Sequence, residues 1–226
     1  MLPEIPIYMS DLARNILTTV FCFSKSKGNI THDTINLSDQ DPVHIKDIIV
    51  TPYTVDHSAY GAFMFLIEAD GKRILHTGDF RNHGYKGKLL KPTLRKIGKV
   101  DVLITEGTTL SREQVKSLTE AELAVEMAEK TKEFNQVLVL MSSTNIDRVT
   151  TIQRVANRTG KTVIHDILLS NVLRLVTQKI PNALNSSKVQ VFLPSFIYLL
   201  KDKEEYKQYI DPYKEKMKKT GKALHR

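Results

Sequence analysis

The sequence predicts an α/β protein built in two parts. In the first half, short apolar runs alternate with turn signals, and an Asp70-Gly71 pair joins two of these runs. In the second half, apolar runs alternate with amphipathic helical segments. Such alternation favours parallel strands connected by helical crossovers. We therefore expect one domain over residues 1–110 and a second, α/β domain over residues 111–226.

The first half begins with a helix and continues with strands. Ser10 is a suitable N-cap for a helix over residues 11–24. The predicted strands, rich in β-branched and apolar residues, cover residues 47–55, 61–69, 72–77 and 102–105. Asp70-Gly71 is typical of a two-residue β-hairpin turn. The last of these strands ends at Glu106, so polar residues stand at strand tips.

The second half opens with a capping box, in which Glu122 follows Thr119 by three residues. Helices are predicted over residues 119–135, 145–159 and 168–179, and buried strands over residues 137–141 and 162–165. Pro181 ends the third helix. The tail, residues 201–226, carries many lysines and glutamates, which favours a solvated helix with mixed charges.

The amino-acid composition limits the classes of protein to which this chain can belong. A hydrophobic content of 41% and a charged content of 26% are ordinary for a globular chain, and no apolar run is long enough to cross a bilayer. The net charge of +8 favours a polyanionic partner. Cys22 is the single cysteine, which excludes an internal disulfide and suits a reducing compartment. Without a visible secretory signal, a cytoplasmic location is expected.

Two candidate metal ligands stand at strand ends. His57 follows the strand at residues 47–55, and Asp79 follows the strand at residues 72–77. Neutral imidazole and ionised carboxylate are the groups that a catalytic zinc takes, with one position left for water. A catalytic zinc needs about three protein ligands, so these two residues predict only part of a metal site.

The sequence resembles that of proteins with the metallo-β-lactamase fold, and more narrowly of its β-CASP branch, the ribonuclease J-like enzymes. The resemblance rests on D-H-S, the hairpin, H-T-G-D-F and the acidic residue in I-T-E-G-T-T. The resemblance implies a partial αββα sandwich followed by a βαβα β-CASP-like domain. It implies that His57 binds one zinc, that Asp79 bridges two, and that Glu106 lies near the metals in a catalytic role. His76 is expected to be a packing residue or to orient a ligand.

The loop after residues 137–141 is a candidate contact for RNA. Ser143 and Asn145 precede a helix that bears Arg148, and helix N-termini bind anions. Ribonuclease J-like proteins have a similar loop, which faces RNA phosphates. Ordinary N-capping by Ser143 or Thr144 explains the same residues equally well.

The resemblance also implies that this chain is an incomplete member. The family's H-x-H-x-D-H loop, which supplies three or four metal ligands, is absent from the sequence. We expect a zinc-dependent ribonuclease type that is inactive as this chain alone, with RNA as partner, no membrane association, and homo-oligomerisation left open. The alternatives are a non-catalytic RNA-binding or subunit-interaction remnant, or an enzyme acting on a small ester or lactone. The second-half insertion argues against the last of these.

Overall fold

A computed structural model describes residues 5–24, 28, 30–108, 117–176, 180–195, 197 and 204–220. The chain divides into two compact units. Unit 1 comprises residues 1–13 and 31–125, and unit 2 comprises residues 14–30 and 126–226. The expected domain boundary between residues 110 and 111 lies outside the described residues.

A five-stranded sheet forms the centre of unit 1. Among the described residues of the unit, the strands are β1 (Ile7–Met9), β2 (Thr34–Asn36), β3 (Val43–Ile45), β4 (Ile48–Thr54), β5 (Phe63–Ala69), β6 (Lys72–His76) and β7 (Val102–Ile104). The order in the main sheet is β3-β4-β5-β6-β7, with only the β6–β7 pair parallel. Strands β1 and β2 form a separate parallel pair.

The predicted hairpin is confirmed. Strands β5 and β6 pair antiparallel, and the turn residues Asp70 and Gly71 both have positive φ, 49° and 69°. A type I′ turn requires positive φ at both central residues, and its twist matches that of the strands. The turn therefore fixes the pairing register of β5 and β6, and with it the position of residues 77–79 after the end of β6.

The helices in the described part of the chain are α1 (Asp11–Phe23), α2 (Leu90–Ile97), α3 (Glu120–Thr131), α4 (Ile146–Thr159), α5 (Ile167–Val176) and α6 (Glu204–Thr220). Ser10 Oγ accepts a hydrogen bond from Ala13 N at 3.1 Å, which confirms the predicted N-cap of α1. The capping box of α3 is confirmed as well, since Thr119 N donates to Glu122 Oε2 at 2.8 Å.

Each unit has its own apolar core. The core of unit 1 lies where β4, β5 and β6 pack with α2, and it consists of Tyr53, Val55, Met64, Leu66, Leu75 and Ile97. The core of unit 2 lies around the strands β8 (Val163–Asp166) and β9 (Val189–Phe192) and consists of Ile167, Ala183, Val189, Val191, Leu193, Ile197, Ile210 and Tyr213. The predicted α/β class is thus confirmed.

The expected parallel pairing of strands at residues 137–141 and 162–165 is not what the structure has. Instead, β8 pairs in parallel with β9, a strand that the sequence analysis did not predict. Helices α4 and α5 precede and follow β8, and Gly160 ends α4 with a positive φ of 69°. The predicted end of the third helix, residues 177–179, lies outside the described residues. The tail helix α6 is more than a solvated face, because its Ile210 and Tyr213 are 0% and 1% exposed.

One predicted strand is wrong. Residues 137–141 form no strand, and Leu138 and Leu140 are 99% and 101% exposed rather than buried. Strand propensity favours an extended backbone, but a strand also needs a partner for its N–H and C=O groups. In the described part of unit 2 the sheet has two strands, β8 and β9, and neither pairs with this segment.

No helix in the described part of the chain combines the length and the apolar character that crossing a membrane requires.

Candidate functional site

His57 and Asp79 lie together at one edge of the sheet. His57 follows the end of β4, and Asp79 follows the end of β6. Strand β5 pairs with both strands and holds the two ends side by side. The Nε2 atom of His57 is 4.0 Å from Oδ2 of Asp79, with side chains 28% and 73% exposed. The expected proximity is present, and both groups are accessible from solvent.

The imidazole of His57 is held in position from its other side. Its Nδ1 atom accepts a hydrogen bond from the backbone N–H of Ala59 at 3.2 Å. A neutral ring that accepts at Nδ1 carries its proton on Nε2, the atom that faces Asp79. A metal bound at Nε2 would require the proton to move to Nδ1, at the expense of this hydrogen bond.

The turn that carries Asp79 depends on Gly78. Its φ is +56°, and a Cβ atom there would lie 3.3 Å from the carbonyl oxygen of Phe63. Gly78 N donates to His76 Nδ1 at 3.2 Å, so the imidazole of His76 contacts the backbone of this turn. Thr77 is buried and its hydroxyl donates to Gly78 O at 2.8 Å. The turn thus presents the carboxylate of Asp79 outward.

Glu106 holds the same turn from β7. Its Oε1 accepts from Phe80 N at 2.6 Å, and its Oε2 accepts from the Thr108 hydroxyl at 2.5 Å. These two hydrogen bonds, that from Thr108 first, hold the pKa of the Glu106 carboxyl below its ordinary value. The structure therefore assigns Glu106 a positioning contact, while its predicted catalytic role stays a prediction.

Sequence reasoning missed a buried ion cluster beneath these loops. Arg81, 13% exposed, lies between the carboxylates of Asp56 and Glu120, which are 0% and 2% exposed. Arg81 Nε is 3.4 Å from Asp56 Oδ1, and Nη1 is 3.9 Å from Glu120 Oε1. The available signal was the position of Asp56, next to His57, and of Arg81, two residues after Asp79.

The candidate RNA contacts lie in unit 2 at the start of α4. The N-cap is Asn145, whose Oδ1 accepts from Arg148 N at 3.2 Å, so capping by Ser143 or Thr144 is wrong. Ser143 and Arg148 are half-buried. The N-cap explains Asn145 in structural terms, and the proposed contacts of Ser143, Asn145 and Arg148 with RNA stay a prediction.

The described residues do not by themselves fit a dinuclear metal centre. Across these residues no group of three or more His, Cys, Asp or Glu side chains is placed to hold an ion. His57 and Asp79 supply two donors, and the two oxygens of Glu106 are taken up by hydrogen bonds. A catalytic zinc takes about three ligands from the protein.

A family model decides the relationship of this chain to known proteins. The model of the β-lactamase superfamily domain matches residues 1–142, more than half of the sequence. This chain belongs to the β-lactamase superfamily. The predicted metallo-β-lactamase fold is therefore confirmed. Members of this superfamily usually bind metal ions, and the sheet edge carries an imidazole and a carboxylate, which are groups that can bind a metal.

Fungal endoribonucleases share local sequence similarity with this superfamily member. It is 40% identical over 79 residues to endoribonuclease ysh-1 of Neurospora crassa, covering 34% of this chain and 9% of that protein. It is 39% identical over 100 residues to endoribonuclease YSH1 of Gibberella zeae, covering 39% and 12%. The chain thus spans about a tenth of the length of these relatives. Both matches support the β-CASP branch.

A solved structure shows the same fold. A crystal structure of a protein of unknown function from Enterococcus faecalis V583 superposes with a TM-score of 0.66 at 22% identity. The match covers 88% of this chain and 52% of that one. At this identity the similarity carries the fold and nothing further.

Proposed function

We propose that the chain forms part of a zinc-dependent ribonuclease of the β-CASP type that acts on RNA phosphodiesters. The single observation that carries this proposal is the pair formed by His57 Nε2 and Asp79 Oδ2, 4.0 Å apart at the sheet edge. The similarity to two fungal endoribonucleases supports RNA as the substrate class. The net charge of +8 supports a polyanionic substrate.

The residues of this chain would have different roles in the complete enzyme. His57 and Asp79 would supply two of the ligands in a complete site, which would provide a hydrolytic centre when metal is bound. Glu106 would keep the turn of Asp79 in place through Phe80 N. Ser143, Asn145 and Arg148 would contact the RNA backbone without reading bases.

We further propose that this chain is inactive when it is alone. Two donors bind zinc far more weakly than three or four, because each further ligand adds affinity without a new cost of association. The same two-donor site favours the second candidate function, an RNA-binding or subunit-interaction role without chemistry.

Cleavage of a labelled RNA by the purified chain tests the proposal. We expect no cleavage in added Zn²⁺ or Mn²⁺ by the chain alone. We expect cleavage only when further ligands are restored, for example by fusing a segment that carries an H-x-H-x-D-H loop upstream of the chain. In the restored protein, Asp79→Asn and His57→Gln should each abolish cleavage, while the matched surface change Asp41→Asn leaves it intact.

RNA binding separates the two candidate functions. We expect the affinity for RNA to fall steeply with salt, because phosphate contacts release counterions. Arg148→Gln should weaken binding more than Arg158→Gln, its control at the other end of α4. If EDTA leaves the affinity for RNA unchanged and the restored protein does not cleave RNA, the non-catalytic function replaces the ribonuclease proposal. Cleavage by the chain alone would contradict the proposed inactivity.

A further inference from the structure

The loops that bear His57 and Asp79 are joined by a second set of contacts below the surface. Arg81 N donates to the carbonyl oxygen of Asp56 at 2.7 Å, which links the residue before His57 to the residue two after Asp79. The Asp56 carboxylate also accepts from Gly84 N at 2.8 Å. Asp56 is therefore bonded through both its main chain and its side chain to residues 81–84.

Glu120, the first residue of α3, anchors the same segment from the other side. Its N–H donates to the carbonyl oxygen of His83 at 3.0 Å, and its own carbonyl accepts from the Tyr85 hydroxyl at 3.4 Å. Its carboxylate lies 3.9 Å from Arg81 Nη1. The segment from residue 81 to residue 85 is thus held between Asp56 and Glu120.

The guanidinium of Arg81 makes this arrangement electrostatically tolerable. Burying two carboxylates that are 0% and 2% exposed is costly unless each has a cationic partner. Arginine suits this place because its planar group can face two carboxylates at once, whereas the ammonium of lysine is a single point. The helix, strand and turn propensities of the neighbouring residues do not require a buried charge at Arg81, directly after the T-G-D-F turn.

We propose that Arg81 is a positioning residue, which sets the distance between His57 and Asp79 by clamping their loops through Asp56 and Glu120. Its use in a reaction rests on the proposed function, but the clamp itself is a property of the folded chain. Loss of the clamp frees both loops while the sheet beneath them stays paired.

Amide hydrogen exchange of the full chain tests this inference. The reporters are the N–H groups of Ala59 and Phe80, which donate to His57 and Glu106, and the reference is Leu66 in the centre of β5. In Arg81→Gln we expect both reporters to exchange at least about tenfold faster relative to Leu66, because the two loops open locally more often without the clamp while β5 stays paired. Arg81→Lys and Glu120→Gln should give smaller increases in the same direction.

Arg73→Gln is the matched control. Arg73 also bridges elements of unit 1, since Nε is 3.0 Å from Glu68 Oε1 and Nη2 donates to Ile97 O at 2.8 Å. Its side-chain partners in the described structure lie outside the two loops. In Arg73→Gln we expect the exchange rates of Ala59, Phe80 and Leu66 to change by the same factor. An unchanged ratio in Arg81→Gln would overturn the inference, and so would failure of every Arg81 and Glu120 variant to fold while Arg73→Gln folds. The exchange experiment does not measure RNA cleavage. A negative result would therefore overturn the inference about Arg81 without bearing on the ribonuclease proposal.

Discussion

His165 should make unit 2 sensitive to mild acid. The residue lies in β8, is 4% exposed, and burial lowers its pKa to about 4, although neighbouring Asp166 acts in the opposite direction. In the described part of the chain its Nδ1 atom has no hydrogen-bond partner. The folded chain therefore holds a neutral imidazole, while the unfolded chain binds a proton at its ordinary pKa of 6.5.

The sign and size of the effect follow from proton linkage. Between about pH 4 and about pH 6.5 the unfolded state binds more protons at this site, so the free energy of unfolding falls as the pH falls. The full shift corresponds to about 3 kcal/mol at about 1.36 kcal/mol per pKa unit, and about 2 kcal/mol of it is already lost at about pH 5.

Urea unfolding at about pH 7.5 and about pH 5 measures this loss. Far-ultraviolet circular dichroism is the suitable probe, because the chain has no tryptophan. We expect the loss of unfolding free energy on acidification to be about 2 kcal/mol smaller in His165→Leu than in the wild type. His44→Gln, which changes an exposed histidine of β3, is the control and should follow the wild type. Equal losses in His165→Leu and the wild type would refute the reasoning.

Three further predictions concern backbone strain, packing and the site carboxylate. Gly78→Ala should cost about 1–3 kcal/mol of unfolding free energy and more than Gly71→Ala, because both have positive φ but only the first places a Cβ against a carbonyl of β5; equal thermal shifts would contradict this. Leu173→Ala, at a site 0% exposed, should cost about 2–5 kcal/mol in urea unfolding, whereas Leu138→Ala, at a site 99% exposed, should cost about 0.5 kcal/mol or less; a large effect of Leu138→Ala would show that the segment is buried. Glu106 should titrate below an ordinary glutamate by carboxyl NMR, so it stabilises the fold above its ordinary pKa and loses that effect as the pH falls through its lowered value; Glu106→Gln should remove this part of the acid sensitivity, and an ordinary titration would contradict the prediction.

The features that sequence predicted correctly are those that neighbouring residues determine. The Asp70-Gly71 turn needs only two residues that tolerate positive φ, and it fixed the hairpin. The caps of α1 and α3 likewise depend on side chains within three or four residues. The proximity of His57 and Asp79 followed from this local register, because one central strand separates their strands.

The features that sequence missed depend on distant partners. The strand at residues 137–141 failed because pairing is a property of the sheet and not of the segment. The cluster of Asp56, Arg81 and Glu120 joins residues separated by 25 and 39 positions in the chain, and each of these residues looks like an ordinary surface charge in the sequence. The N-cap of α4 was one or two residues off, because Ser, Thr and Asn are all good caps.

Zinc analysis of the purified chain tests the central claim most directly. Equilibrium dialysis against Zn²⁺, followed by elemental analysis, should find no tightly held pair of ions, with weak binding that Asp79→Asn and His57→Gln reduce. Retention of two zinc ions per chain after dialysis against metal-free buffer would contradict the account, because it would require ligands beyond the two that meet at the sheet edge.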